Sequence, residues 1–281
     1  MKAGVIGLGA IGGGVAICLA RSGQLAAVYD VRPDASAKLD GVPVVSATPA
    51  LVASCSDVVL IAVVDAKQTL SVLEGPDGIL REARPGLSVV LLSTVSLDDL
   101  TRLRTLTEGV GVDLIDCGVT GGPAAAHNGL VCLAGGTEAA MAKVQPILDG
   151  FAKGVYHMGG PGAGMAAKIA RNTIVYNVWQ AGAEATRLAK ASGVDLVKLA
   201  DAIDSSSENV AGPTMWMRRP DPATDTAERR IREGISVLMS KDLAAAIDLG
   251  RTLDIPLPTT QLTQAQGRAM LAIDDVQGAT P

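Results

Sequence analysis

The run Gly7-Leu-Gly9-Ala-Ile-Gly12 stands between a short apolar strand pattern, Ala3–Ile6, and the start of a helical one. Glycines at that spacing permit a tight turn, close backbone approach to a ligand and close packing of helix on strand. A helix that starts there turns its unpaired N–H groups and its positive dipole end towards the turn, which suits a pyrophosphate at Gly7, Gly9, Ala10, Ile11 and Gly12. Glycine-rich turns are common, so context gives the pattern its weight. A second strand pattern, Leu25–Tyr29, follows and is closed by Asp30, an acid about 20 residues beyond the turn as such a site requires. A carboxylate there can bind both hydroxyls of an adenosine ribose and repels a 2′-phosphate, so NAD is favoured over NADP. Arg32, two residues on, can stack on adenine or meet a phosphate and pulls the other way. The plainer alternative for Asp30 is an ordinary strand-end turn residue.

Strand and helix patterns continue to alternate as far as residue 158. Further β-branched runs lie at Val58–Val63, Ser88–Leu92 and Val112–Asp116, with alanine-rich or capped helical stretches between them. Regular alternation of this kind implies a parallel sheet covered on both faces. Two more strands, near Gly129–Ala134 and Gly154–Met158, read as a hairpin-like addition. Between the fifth strand and these lies Asp116-Cys-Gly-Val-Thr120-Gly121-Gly122, at the carboxyl edge where open α/β sheets bind ligands. The Thr120 hydroxyl and the N–H groups of Gly121 and Gly122 suit a carboxylate; a glycine-rich connection without a ligand is the alternative. His127 reads as a solvated loop residue.

The strand signal ends at the cluster Gly159-Gly-Pro-Gly162, a natural hinge between residues 1–161 and 162–281. Met165 to Ala191 reads as a single helix, on the order of 40 Å long. Its apolar residues, Ile169, Ile174, Val175 and Val178 among them, occupy several faces, so it is expected to be buried all round. Lys168 and Asn172 lie four residues apart and so share a face. A cation near a helix start is disfavoured, and a lysine kept only for solubility sits better at the far end, as Lys190 does. Such a lysine is expected to titrate low and to suit proton transfer; a surface lysine on an amphipathic helix is the alternative. Helices are expected near 194–204, 231–252 and 259–271, and a loop-rich stretch over 205–230. Trp179 and the Met215-Trp-Met217 run read as packing residues, the latter able to form an apolar pocket wall.

With 281 residues, 48% of them hydrophobic and only 2% aromatic, the chain can bury a large aliphatic core. A net charge of −5 without a dense basic run argues against nucleic acid. No apolar run approaches the roughly 20 residues of a membrane span, and no signal peptide is evident. Four cysteines without a CxxC pair suggest reduced thiols and a cytoplasmic protein. Two histidines exclude a multi-histidine metal site, and no metal is expected.

Taken together and in this order, Gly7–Gly12, Ser93-Thr94, Asp116–Gly129, Gly162–Asn172 and Lys241-Asp242-Leu243 resemble the β-hydroxyacid dehydrogenases, the group of 3-hydroxyisobutyrate dehydrogenase and tartronate semialdehyde reductase. The resemblance covers essentially the whole chain. It implies an α/β fold, an N-terminal Rossmann-type doubly wound domain followed by an all-α domain built on the long central helix, with the active site between them. It implies hydride transfer between NAD(P) and a small hydroxy acid or the matching carbonyl acid. The long helix, apolar on several faces, separately suggests a homodimer or homotetramer, because a monomer of this size would struggle to cover it. Lys168 would transfer the proton with Asn172 beside it, and Thr120, Gly121 and Gly122 would hold the substrate carboxylate. Val63, Val64 and Thr94 would line the cofactor, and Lys241 would reach it from the helical domain. Departures cluster near the pocket. Thr120 stands where serine is frequent, and Arg171 where asparagine is usual. Val63-Val64-Asp65 replaces Leu-Pro-Asn, Val95-Ser96-Leu97 lacks a proline, and Ile235 replaces an aromatic. The Val63–Gln68 and Ser93–Ser96 segments look somewhat like the threonate dehydrogenase branch. Imine reductases resemble this fold but usually carry aspartate or tyrosine where Lys168 stands, and a catalytically silent NAD-binding protein would not need Lys168, Asn172 and Lys241.

Overall fold

A computed structural model describes residues 1–191, 193–206, 226–252 and 257–273. It divides into two compact units, Met1–Lys168 and Ile169–Pro281. The first holds β1 (Ala3–Ile6), β2 (Leu25–Tyr29), β3 (Val58–Ile61), β4 (Ser88–Leu91), β5 (Asp113–Thr120), β6 (Leu130–Gly135) and β7 (Ala152–Gly159). These form one sheet in the order β2-β1-β3-β4-β5-β6-β7. β1, β3 and β4 are buried along their whole length, as parallel strands with both faces covered must be. The chain leaves β1 to one side for β2 and returns on the other for β3, so the strand order reverses at β1 and opens a crevice at its carboxyl end.

Two expectations fail in the last third of this sheet. β6 and β7 are parallel, not a hairpin, because α5 (Glu138–Leu148), capped by the Thr137 hydroxyl on Ala140 N–H, fills their connection. β5 runs on to Thr120 instead of ending at Asp116. Antiparallel β6 pairs with it from Asp116↔Gly135 to Thr120↔Val131, and supplies the ladder that small residues alone would not specify. β3, conversely, stops at Ile61, short of Val63.

The helices of this unit also include α1 (Ala10–Arg21), α2 (Pro49–Ser54), α3 (Ala66–Glu74) and α4 (Leu97–Glu108). Thr48, Asp65 and Ser96 cap α2, α3 and α4 by accepting backbone N–H groups, each cap contributing about 1 kcal/mol. α1 differs: Gly9 at its N-cap makes no side-chain bond, so its first N–H groups are left for another acceptor. The core is aliphatic, with Val5, Leu19, Leu60, Val90, Ile115 and Phe151 all fully buried.

α6 (Ala163–Ala191) spans the division after Lys168. With α7 (Leu196–Ser206), α8 (Thr226–Thr252) and α9 (Pro258–Met270) it makes the described part of the second unit all-helical. Tyr176, Met239, Leu243, Met270, Leu271 and Ile273 form its core, with Trp179 edge-on to Tyr176 at a ring-centre distance of 5.3 Å. α8 starts at Thr226, within the stretch expected to be loop-rich, and Arg232 near its start is buried with its Nε 2.9 Å from Glu228 one turn back. Met215-Trp-Met217 lies outside the described residues. On α6, Ile174 is 66% exposed in the single chain.

Candidate active site

At the carboxyl end of β1, Gly7 takes φ +89° and Gly12 comes so close to Gly7 O that any Cβ there would overlap it. Gly9 faces open space, with nothing within 4 Å of where a Cβ would stand. Ala10 and Ile11 open α1 directly behind it. A glycine held open beside an uncapped helix start is the arrangement a phosphate needs. A cleft of about 350 Å³ continues from there, lined by Gly7, Gly9, Asp30, Arg32, Val63 and Val64, with Gln68, Ser71 and Val72 from α3. The structure therefore brings most of the expected cofactor residues together.

Asp30 sits at the centre of this edge with both oxygens engaged. Leu8 N–H donates to Oδ2 at 2.7 Å, tying the second strand to the glycine turn. Arg32 donates to Oδ1 from its backbone N–H at 2.9 Å and its Nε at 3.0 Å. Burial pushes this carboxyl up, but the bonds from Arg32 and Leu8 outweigh it and hold it below its ordinary range. Arg32 is thus fastened to Asp30 instead of standing apart from it. Ser93 Oγ donates to Val63 O at 2.7 Å and joins the end of β4 to the Val63-Val64 segment, with Thr94 buried next to it.

Thr120 ends β5, and Gly121 follows at φ +92° with its Cβ position 2.6 Å from Gly129 O. Gly122 begins a 3₁₀ turn to His127, which is exposed. A Cβ on Gly122 would lie 3.3 Å from Ile11 Cδ1, so the Thr120–Gly122 segment adjoins the glycine turn of α1. Arg21 and Cys18 of α1 also bond to the carbonyls of Ala126 and Ala125.

Lys168 is 9% exposed on α6. Its stem lies over Gly118 of β5, where a Cβ would overlap Lys168 Cβ and come within 2.6 Å of its Cγ. Asp116, two residues earlier on the strand, accepts from Gly162 N–H and Met165 N–H at 2.7 Å each and so caps α6. Burial raises the Asp116 carboxyl above its ordinary range, against the pull of those N–H groups.

In the second unit, Asn172 is 2% exposed and donates to Asp242 Oδ2 at 2.6 Å. Its own oxygen accepts from Arg171 at 3.1 Å. Tyr176 donates to the same Asp242 oxygen at 3.1 Å, and burial together with that carboxylate pushes its hydroxyl well up. Lys241 Nζ stands 3.6 Å from Asp242 Oδ1. Asp116, Gly118 and Asp242 carry structural work that the motif reading did not assign. Asp242 adjoins a residue already singled out, whereas nothing local marks Asp116 as the cap of a helix 46 residues away. Among the described residues no group of histidines, cysteines and carboxylates could hold a metal ion.

Residues 2–160 match the family model described as the NAD binding domain of 6-phosphogluconate dehydrogenase. Residues 162–278 match the model described as NAD-binding of NADP-dependent 3-hydroxyisobutyrate dehydrogenase. The L-threonate dehydrogenase of Escherichia coli strain CFT073 is 31% identical over 91% of this chain and 84% of its own. The 2-hydroxy-3-oxopropionate reductase of Escherichia coli K12 is 32% identical over 94% and 89%. The crystal structure of a 3-hydroxyisobutyrate dehydrogenase from Salmonella typhimurium superposes with a TM-score of 0.80 at 26% identity, covering 97% of this chain and 98% of that one.

Proposed function

The chain belongs to the β-hydroxyacid dehydrogenase family, an NAD(P)-dependent oxidoreductase acting on hydroxyl groups, and we propose that Lys168 is its proton-transfer residue. The observation that carries this reading is the seating of the Lys168 stem on Gly118, on the strand that ends in Thr120. A buried lysine next to that strand end can take the hydroxyl proton as the neutral amine while the carbonyl forms, and as the ammonium can return it in reduction. It also stabilises charge developing on the oxygen. Bound NAD(P) supplies the hydride chemistry. Thr120 and the N–H groups of Gly121 and Gly122 hold the substrate carboxylate. Asn172, held by Asp242 and Arg171, orients the reacting groups.

Cofactor fit rests on open Gly9, the uncapped start of α1 and the cleft beside Asp30. NAD is the preferred cofactor in this reading, because the Asp30 carboxylate retains lone pairs for ribose hydroxyls and keeps Arg32 paired. Thr94 lines the nicotinamide side. The substrate is a small hydroxy acid or its carbonyl counterpart. Self-association as a homodimer or homotetramer is supported by Ile174, Val237 and Leu238, exposed apolar side chains on α6 and α8. A cytoplasmic setting is supported by four free cysteines. No described helix is long and apolar enough to cross a membrane.

The test is a rate screen of 3-hydroxyisobutyrate, glycerate, threonate, 3-hydroxypropionate and β-hydroxy amino acids with NAD and NADP. On the acid that turns over, Lys168→Ala should lower kcat by about 10²–10⁴-fold with NADH binding retained. Near-normal turnover in that variant removes the assignment.

A further inference from the structure

The first N–H groups of a helix have no partner within it and must find one elsewhere. Those of α6 find theirs on the sheet. Asp116 Oδ1 takes Gly162 N–H and Oδ2 takes Met165 N–H, from a residue only 1% exposed. Using both oxygens fixes the helix start at two points, so it can neither rotate nor slide against β5. The contact is close because two glycines allow it. A Cβ on Gly164 would stand 2.5 Å from Asp116 O, Gly135 N and Leu133 O, and one on Gly135 would stand 2.6 Å from Gly164 N. One turn beyond Met165 the chain places Lys168, and its stem meets β5 again at Gly118. Residues i and i+2 of a strand share a face, so Asp116 and Gly118 present one surface to this helix.

We propose that Asp116 is a positioning residue for the reaction: by holding the first turn of α6 on β5 it sets where the Lys168 ammonium stands. The proposal rests on the assignment of Lys168 made above. A lysine has a flexible four-carbon stem, and a group displaced by about 1 Å can lose on the order of 10²-fold in rate. Gly118 confines the base of the stem, and the Asp116 cap confines the helix from which it springs. Burial also raises the Asp116 carboxyl, so the position is one where a plain apolar residue would be easier to keep. Asp116 touches neither substrate nor cofactor in this scheme and acts only through the helix.

The test compares Asp116→Asn, Asp116→Glu and Gly118→Ala with Lys168→Ala, measuring kcat, KM, the pH profile of kcat, NADH affinity and Tm. In Asp116→Asn one N–H of α6 faces an amide NH₂ instead of an oxygen. The expected result is kcat lower by about 10–100-fold, a displaced midpoint in the pH profile, and NADH affinity within about twofold of wild type. Asp116→Glu, which keeps the carboxylate, should recover part of the rate. A kcat within about threefold of wild type in Asp116→Asn overturns the proposal. So does an unmoved pH profile, or a rate loss matched by an equal loss of NADH binding. If Asp116→Asn neither binds NADH nor melts cooperatively, Gly118→Ala decides, since it leaves the cap and displaces the stem; wild-type kcat there overturns the proposal. An active Lys168→Ala removes the underlying assignment, whereas an inactive one beside a normal Asp116→Asn removes only the positioning role.

Discussion

Replacing Asp30 by asparagine should change which cofactor the protein holds, and the structure sets the scale. The wild-type carboxylate accepts Leu8 N–H at 2.7 Å on one oxygen, and Arg32 N–H and Nε at 2.9 and 3.0 Å on the other. An amide has one oxygen. Either Leu8 N–H or the Arg32 donors must then face an NH₂ group. Hydrogen bonds to a charged group contribute about 1.5–3 kcal/mol, and the ribose hydroxyls of NAD lose the same charged acceptor. At about 1.4 kcal/mol per factor of ten, NADH affinity should fall by about 10–100-fold. NADPH should change far less. Its 2′-phosphate no longer meets a carboxylate, and the Arg32 guanidinium is released to pair with it. The Arg32 side chain is 61% exposed, so solvent screening keeps that gain small. The ratio of NADPH to NADH affinity should therefore rise by at least about tenfold. Fluorescence titration of both reduced cofactors at one fixed ionic strength measures it, with kcat/KM ratios as a second reading. A ratio that moves by less than about twofold, or a wild-type protein that already prefers NADPH, would refute the role given to Asp30 and place control with Arg32.

Gly14→Ala should raise the substrate KM more than it weakens NADH. Its Cβ would stand 2.5 Å from Ala125 Cβ and push away the turn that carries Gly121 and Gly122, a split that steady-state kinetics with a parallel NADH titration resolves. Stability should also report on Asp116. A carboxyl whose pKa is raised above 3.8 on folding holds its proton more tightly in the native state, so its contribution is full below that value and is lost as pH rises through the native pKa. The Tm advantage of wild type over Asp116→Asn should accordingly shrink as pH climbs from below 3.8; an advantage that grows instead has the wrong sign for this account. Thiol titration of the native protein should give one fast-reacting group, since Cys55 is exposed while Cys18, Cys117 and Cys132 are buried. A fast reaction by two or more would contradict the packing of α1, β5 and β6 around the buried thiols.

Much of the first unit was legible because its signals are local. A strand, three spaced glycines, a helix and a strand-end acid occupy residues 3–30, and each follows from period, turn chemistry or capping. Asp30 and the glycine turn were found for that reason. The end of β5 was not, because residues 117–120 become strand only through pairing with β6, and no short-range feature of Cys117-Gly118-Val119 announces it. The same holds for Asp116, whose partners lie 46 and 49 residues on, and for Asp242, which meets Asn172 at a separation of 70. Motif reading singled out residues proposed to face a ligand. It passed over the residues that hold those in place, because such contacts depend on which elements come to lie side by side.

The alternation along β5 bears on how this protein could acquire a new substrate. Asp116, Gly118 and Thr120 fall on one face of the strand, while Ile115, Cys117 and Val119, which alternate with them, are buried in the core cluster. Inserting or deleting one residue anywhere between 116 and 120 would turn the residues on one side of the change to the opposite face relative to those on the other. In every case Thr120 would part from the face that carries the α6 cap. Substitution within that strand is therefore narrowly confined, and changes in length are closed to it. The 3₁₀ turn from Gly122 to His127 has no such double duty: most of its side chains are partly or wholly exposed, and only Ala125 is buried. Variation in substrate preference should accumulate in that turn, both in natural relatives and in selection experiments, while the strand feeding it stays fixed in length.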